Sequence, residues 1–80
     1  SLAQDFGTHK GRCDALKEFL KTSDDAIRKS LARELLARET PIAQAVLKQF
    51  MSTPTAQDLN AYHQGYDDAW KATMQLVMRL

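Results

Sequence analysis

HKGRCDALK at residues 9–17 returns as HQGYDDAWK at residues 63–71. His9, Gly11, Asp14, Ala15 and Lys17 have counterparts at the same spacing in His63, Gly65, Asp68, Ala69 and Lys71. The flanking residues extend the likeness. Ala3, Gly7, Gly11 and Ala15 stand four apart around the first copy, and Ala61, Gly65, Ala69 and Thr73 around the second. On a helix, four-residue spacing lines up one ridge, and a ridge of small residues lets two backbones approach closely. The pattern therefore predicts an all-α fold in which the first and last helices cross near Gly11 and Gly65, within one chain or between two. Gly7, Gly11, Ala15, Ala61, Gly65 and Ala69 are the residues expected to make that close packing. Two copies are too few for a solenoid, so duplication is the weaker account of the likeness.

Punctuation around the two copies divides the rest. Ser1, with Gln4 three residues on, caps a first helix running to about residue 21. Its apolar positions Leu2, Phe6, Cys13, Leu16 and Leu20, with His9 in the gap, describe one buried seam. Gly7 and Gly11 each cost about 1 kcal/mol in a helix interior, which predicts fraying of its early turns. Thr22-Ser23-Asp24-Asp25 reads as a stop and a new N-cap. A second helix follows over 24–38, with Ile27, Leu31 and Leu35 on one face and Ala32 and Leu36 beside them. Thr40-Pro41 reads as another cap, with proline at the first helical position. A short third helix over 41–51 turns Ile42, Val46 and Phe50 inward, with Leu47 adjacent. Ser52-Thr53-Pro54-Thr55 is the last break, and Thr55 with Asp58 makes a capping box for a fourth helix over 56–80. The expected architecture is one domain, a small four-helix bundle or a long helical hairpin carrying a short inserted pair.

Composition narrows the function classes. The 80 residues are 44% hydrophobic and 26% charged, the profile of a globular chain near the lower size limit for folding alone. A net charge of +1 argues against strong general affinity for nucleic acid or an anionic membrane. The single cysteine, Cys13, leaves no internal disulfide and suits a reducing compartment. No apolar run reaches the length of a membrane span. A cytoplasmic protein is expected, with a virion-associated one as a variant of that reading.

The repeated pattern also carries ligand-type side chains. His9 and Cys13 lie four apart, as do His63 and Asp67, and together they offer two nitrogens, a thiolate and a carboxylate. Neither pair has a metal-site signature, so the expectation is no metal. Cys13 reads as a small buried apolar residue, since reactive thiols need an electropositive setting.

The last helix holds more apolar surface than its companions account for. Leu59, Tyr62, Tyr66, Ala69, Thr73, Leu76 and Leu80 form a three-four seam, and Trp70, Met74, Val77 and Met78 fall outside it. A helix apolar on more than one face must be covered on more than one face. Tyr66, Trp70, Met74, Val77 and Met78 are therefore the expected partner interface, for a second copy or a helical partner.

Residues 30–47, SLARELLARETPIAQAVL, resemble a helix-turn-helix element over about 20 residues, with Leu31, Ala32, Leu35, Ile42 and Ala45 at its apolar positions. The resemblance implies Gln44, Lys48 and Gln49 in a major groove and Arg28 and Arg33 near phosphates. Leu36 departs from it, standing where the turn usually has glycine. A third reading is a small-ligand site between subunits lined by Arg12, Tyr66 and His63. Catalysis has little support: the chain has no glycine-rich phosphate loop, no nucleophile elbow and no paired carboxylates in an expected cleft, and no cofactor is implied. The leading expectation is a helical interaction protein, of the kind used in phage virion assembly or in inhibiting a host protein. DNA binding through residues 30–49 is the alternative.

Overall fold

The computed structural model describes residues 1–50 and 54–80, and it is all-helical there. Three helices, α1 (Leu2–Thr22), α2 (Ala26–Gln49) and α3 (Ala56–Arg79), replace the expected four. Their starts are set by side chains that satisfy otherwise unpaired N–H groups. The Ser1 hydroxyl accepts from the Gln4 N–H at 3.2 Å, and the Asp25 carboxylate from the Arg28 N–H at 2.9 Å. Thr55 and Asp58 complete a reciprocal capping box at 3.1 and 3.0 Å. The expected break at Ser52-Thr53-Pro54-Thr55 lies partly outside the described residues; Pro54 and Thr55 are non-helical.

The largest departure is in α2, which runs without interruption through Thr40-Pro41. Proline inside a helix leaves the carbonyl four residues back without its N–H donor, at a cost of about 3 kcal/mol. That carbonyl belongs to Ala37, an exposed residue, so the lost donor falls on the solvent side of the helix. Thr40 does not cap forwards: its hydroxyl donates back to the Leu36 carbonyl at 2.8 Å. Continuing the helix places Glu39 against His9 and Arg12 and buries Ala43 on α1. Those contacts outweigh the local preference of Pro41. One consequence is that residues 30–49 contain no turn, so the two-helix geometry behind the helix-turn-helix reading is absent.

α1 is the centre of the molecule. α2 returns antiparallel along one side of it, and α3 runs parallel along another; α2 and α3 scarcely touch except through side chains at one end. The parallel direction follows from the pairing of Gly7 with Tyr62 and Gly11 with Tyr66. Because the first and last helices are parallel, the long-hairpin arrangement does not describe the fold. It also sets the two copies of the repeated pattern side by side.

The approach between α1 and α3 is set by glycine. A Cβ on Gly11 would stand 2.5 Å from the Tyr66 carbonyl oxygen, and one on Gly65 2.5 Å from that of Gln4. Gly7 is closer still to the Tyr62 carbonyl. The Cα–H groups of these glycines thus point at carbonyl oxygens of the facing helix, a weak but recurrent attraction. Ala3, Gly7, Gly11 and Ala15 are all buried, as are Gly65, Ala69, Thr73 and Val77 opposite. This packing holds the early turns of α1, which is helical from Leu2 despite its glycines.

Where the three helices converge, Leu16, Phe19, Ala32 and Val77 form a core flanked by Leu20, Leu35, Leu36 and Met74. The expected seams are rotated by this arrangement. In α3 the buried line follows the four-residue ridge through Val77, leaving Leu59, Leu76 and Leu80 exposed. In α2, Ala32 and Ala43 face inward, while Ile27, Leu31, Ile42 and Leu47 are exposed. Small residues win the inward positions because α2 and α3 both lie close against α1.

Candidate functional site

The surface of α3 is organised by its ridge. On one flank, Tyr62, Tyr66, Trp70 and Met74 recur at four-residue spacing, each half-buried. Phe50, Phe6, Tyr62 and Tyr66 form a continuous aromatic row, with ring centroids 6.2, 5.5 and 5.8 Å apart. The Tyr66 hydroxyl donates to the Asp14 carboxylate at 2.7 Å, and Lys10 donates to its other oxygen at 3.0 Å. Burial alone would raise the Asp14 pKa, but the hydrogen bonds from Tyr66 and Lys10 outweigh it and hold the carboxyl below its ordinary value. The same bond, helped by burial, pushes Tyr66 up to about 12. This cluster fixes α3 to α1. Trp70 lies beyond it, over a shallow depression lined with Tyr66, Asp67 and Lys71.

On the other flank, Leu76 overlooks a groove of about 260 Å³ formed by all three helices. Leu16, Leu35 and Thr73 line it, with Arg12, Arg38 and Glu39 toward one end. Glu39 joins α2 to α1 by accepting from Arg12 at 3.3 Å and pairing with His9. At the other end the Arg28 side chain donates to the Leu80 carbonyl and ties the end of α3 to α2. Leu80 stands here, four residues beyond Leu76; Met78, four residues beyond Met74, continues the first flank and is 66% exposed.

The five expected interface residues therefore separate. Val77 is fully buried and belongs to the core. Met74 packs against that core, and Tyr66 is engaged with Asp14. Trp70 is half-buried, and Met78 alone of the five is exposed. Leu76 and Leu80, read from the sequence as inward, are instead uncovered. The four-residue ridge carried the signal that would have found them: continued past Thr73 it reaches Val77, which turns Leu76 outward.

The other sequence candidates are not brought together. His9 is on Glu39, Cys13 is buried toward α2 near Thr40, His63 stands edge-on to Tyr62, and Asp67 is exposed. Among the described residues no three metal-ligating side chains gather. Burial pushes the Cys13 thiol above its ordinary pKa more than the neighbouring Thr40 hydroxyl lowers it, which favours the unreactive thiol. Arg12 and Tyr66 lie on opposite flanks of the α1–α3 contact and His63 points elsewhere, so one chain does not assemble the expected ligand lining. Gln44, Lys48, Gln49 and Arg33 are exposed along α2, whereas Arg28 is held by Asp25 and Leu80. No described helix is long and apolar enough to cross a membrane.

No protein-family model matches the chain, and no curated protein or solved structure matches it either. The class that the fold defines is an all-α three-helix protein with a glycine-mediated parallel helix pair.

Proposed function

We propose that this chain is a helical protein–protein interaction module that seats a partner helix against the C-terminal part of α3. The observation that carries the reading is the exposure of Leu76 and Leu80 beside a groove with an apolar floor of Leu16 and Leu35. A helix laid beside Leu76 and Leu80 would complete the apolar surface that α2 and α3 leave open between them. Docking of this kind fits a component of virion assembly or a small inhibitor of a host protein, working in the cytoplasm.

A photo-crosslinker placed at Leu80, in cells that make the protein, tests the reading. One dominant protein should cross-link, through a helix, and that product should disappear when Leu76→Ser is added. The Leu76→Ser chain should keep its helicity by circular dichroism, because Leu76 is outside the core. A scatter of unrelated products, or one insensitive to Leu76→Ser, overturns the proposal.

A further inference from the structure

The outward side of α2 carries a second uncovered surface. Ala32 and Ala43 turn toward α1 and are buried. Away from that line, Ile27, Leu31, Glu34, Arg38, Ile42 and Ala45 recur at three- and four-residue spacing, and all are exposed. Ile27 is the extreme case, 78% exposed. Residues spaced in this way share one helix face.

The face has an internal symmetry. Glu34 and Arg38 stand two residues on either side of Leu36; beyond them, Leu31, five before, is answered within one residue by Ile42, six after, and Ile27, nine before, by Ala45, nine after. Its charges are opposite and central, and its apolar residues are at the ends. Among the described residues, neither Glu34 nor Arg38 has an ion-pair partner within the chain. An isologous contact requires such a pattern: when residue i meets residue j, j must also meet i.

We propose that this face joins two copies of the chain, with their α2 helices antiparallel across a two-fold axis at the level of Leu36. Glu34 of each copy then faces Arg38 of the other, and Leu31 faces Ile42. Ile27, otherwise in water, is covered near Ala45 of the second copy. A parallel arrangement would set Glu34 level with Glu34 and Arg38 level with Arg38, so the charges select the antiparallel one. The chain exposes 5362 Å², whereas a compact monomer of 9.0 kDa is expected to expose about 4,900 Å². The surplus is in the direction that self-association would correct. This contact goes beyond the docking proposed for α3 in specifying a second copy; Arg38 also lines that groove, whereas Glu34, Leu31 and Ile27 do not.

Sedimentation equilibrium on the full chain, from low to high micromolar concentration, tests it. The unaltered chain should be dimeric. Glu34→Arg and Arg38→Glu should each weaken the dimer roughly tenfold or more by facing like charges. An equimolar mixture of the two variants should recover the lost affinity as a heterodimer, because opposite charges again meet across the axis. Leu31→Ser should dissociate the dimer while leaving its helical circular dichroism intact. A monomer at every concentration overturns the proposal, as does a mixture no tighter than its parts. A dimer indifferent to these changes but lost on Leu76→Ser would move the contact to α3, and overturns it equally.

Discussion

Tyr66 and Asp14 join α3 to α1 through one 2.7 Å hydrogen bond, and each alters how the other titrates. Asp14 is held below its ordinary pKa in the folded chain, so its ionised form contributes stability above about pH 4, and that contribution is lost as pH falls through the lower folded value. Tyr66 is shifted the other way. Its neutral hydroxyl contributes fully below about pH 10 and loses the contribution as pH rises toward about 12. Tyr66→Phe removes the bond while keeping the ring in its aromatic row. Both groups are partly open to solvent, so the cost should be modest, about 1 kcal/mol near neutral pH. Urea unfolding at a series of pH values checks this: the variant should lose less stability than the parent between about pH 10 and 12. Equal alkaline losses in the two proteins would show that the bond contributes nothing. The sequence displayed both residues but not their pairing. Asp14 lies in the repeated pattern, whereas its partner Tyr66 occupies the position that Arg12 holds in the first copy.

Helix ends were legible because capping is local: Ser1, Asp25, and Thr55 with Asp58 act within three residues of themselves. The small-residue ridge was legible for a similar reason, since its spacing has one helical meaning wherever the partner lies. Pro41 was misread because its effect depends on what the two halves of α2 touch. Its local rule favours a helix start, and the packing of Glu39 and Ala43 on α1 overrides it. The seams were misread because close packing reverses the usual preference, giving inward positions to Ala32, Ala43 and Ala69 and leaving larger neighbours outside. The reading of α2 as one helix has a measurable consequence. Pro41 is exposed and interior to the helix, so Pro41→Ala restores a backbone donor and improves helix propensity. Greater freedom of the unfolded chain offsets part of this, leaving an expected gain of about 1–2 kcal/mol and a higher thermal midpoint. If a helix instead began at Pro41, the substitution would be neutral or destabilising.

For the molecule as a whole, what matters is how little of it is deeply buried. The elongated shape, 41 × 20 × 16 Å, places α1 between two helices that share it and hardly meet. Much of the buried surface is therefore Ala, Gly and Cys13, with Leu16, Phe19 and Val77 supplying the bulk where the helices converge. A chain of this length has about 4–12 kcal/mol of stability in total, so a single large core side chain holds a substantial share. Val77 is fully buried and is the residue through which α3 closes the core from above Leu16 and Phe19. Val77→Ala should cost about 2–3 kcal/mol from lost burial and an unfilled cavity, and lower the thermal midpoint by roughly 10–20 °C. Met78, its immediate neighbour, should behave differently: Met78→Ala should change stability by no more than about 0.5 kcal/mol in the absence of a partner. Calorimetry of the two variants side by side makes the comparison. Similar losses for both would mean that the outer face of α3 is already covered, and the open surface assigned to Met78 would not exist in solution. A loss confined to Val77→Ala places the boundary between core and open surface between these two adjacent residues.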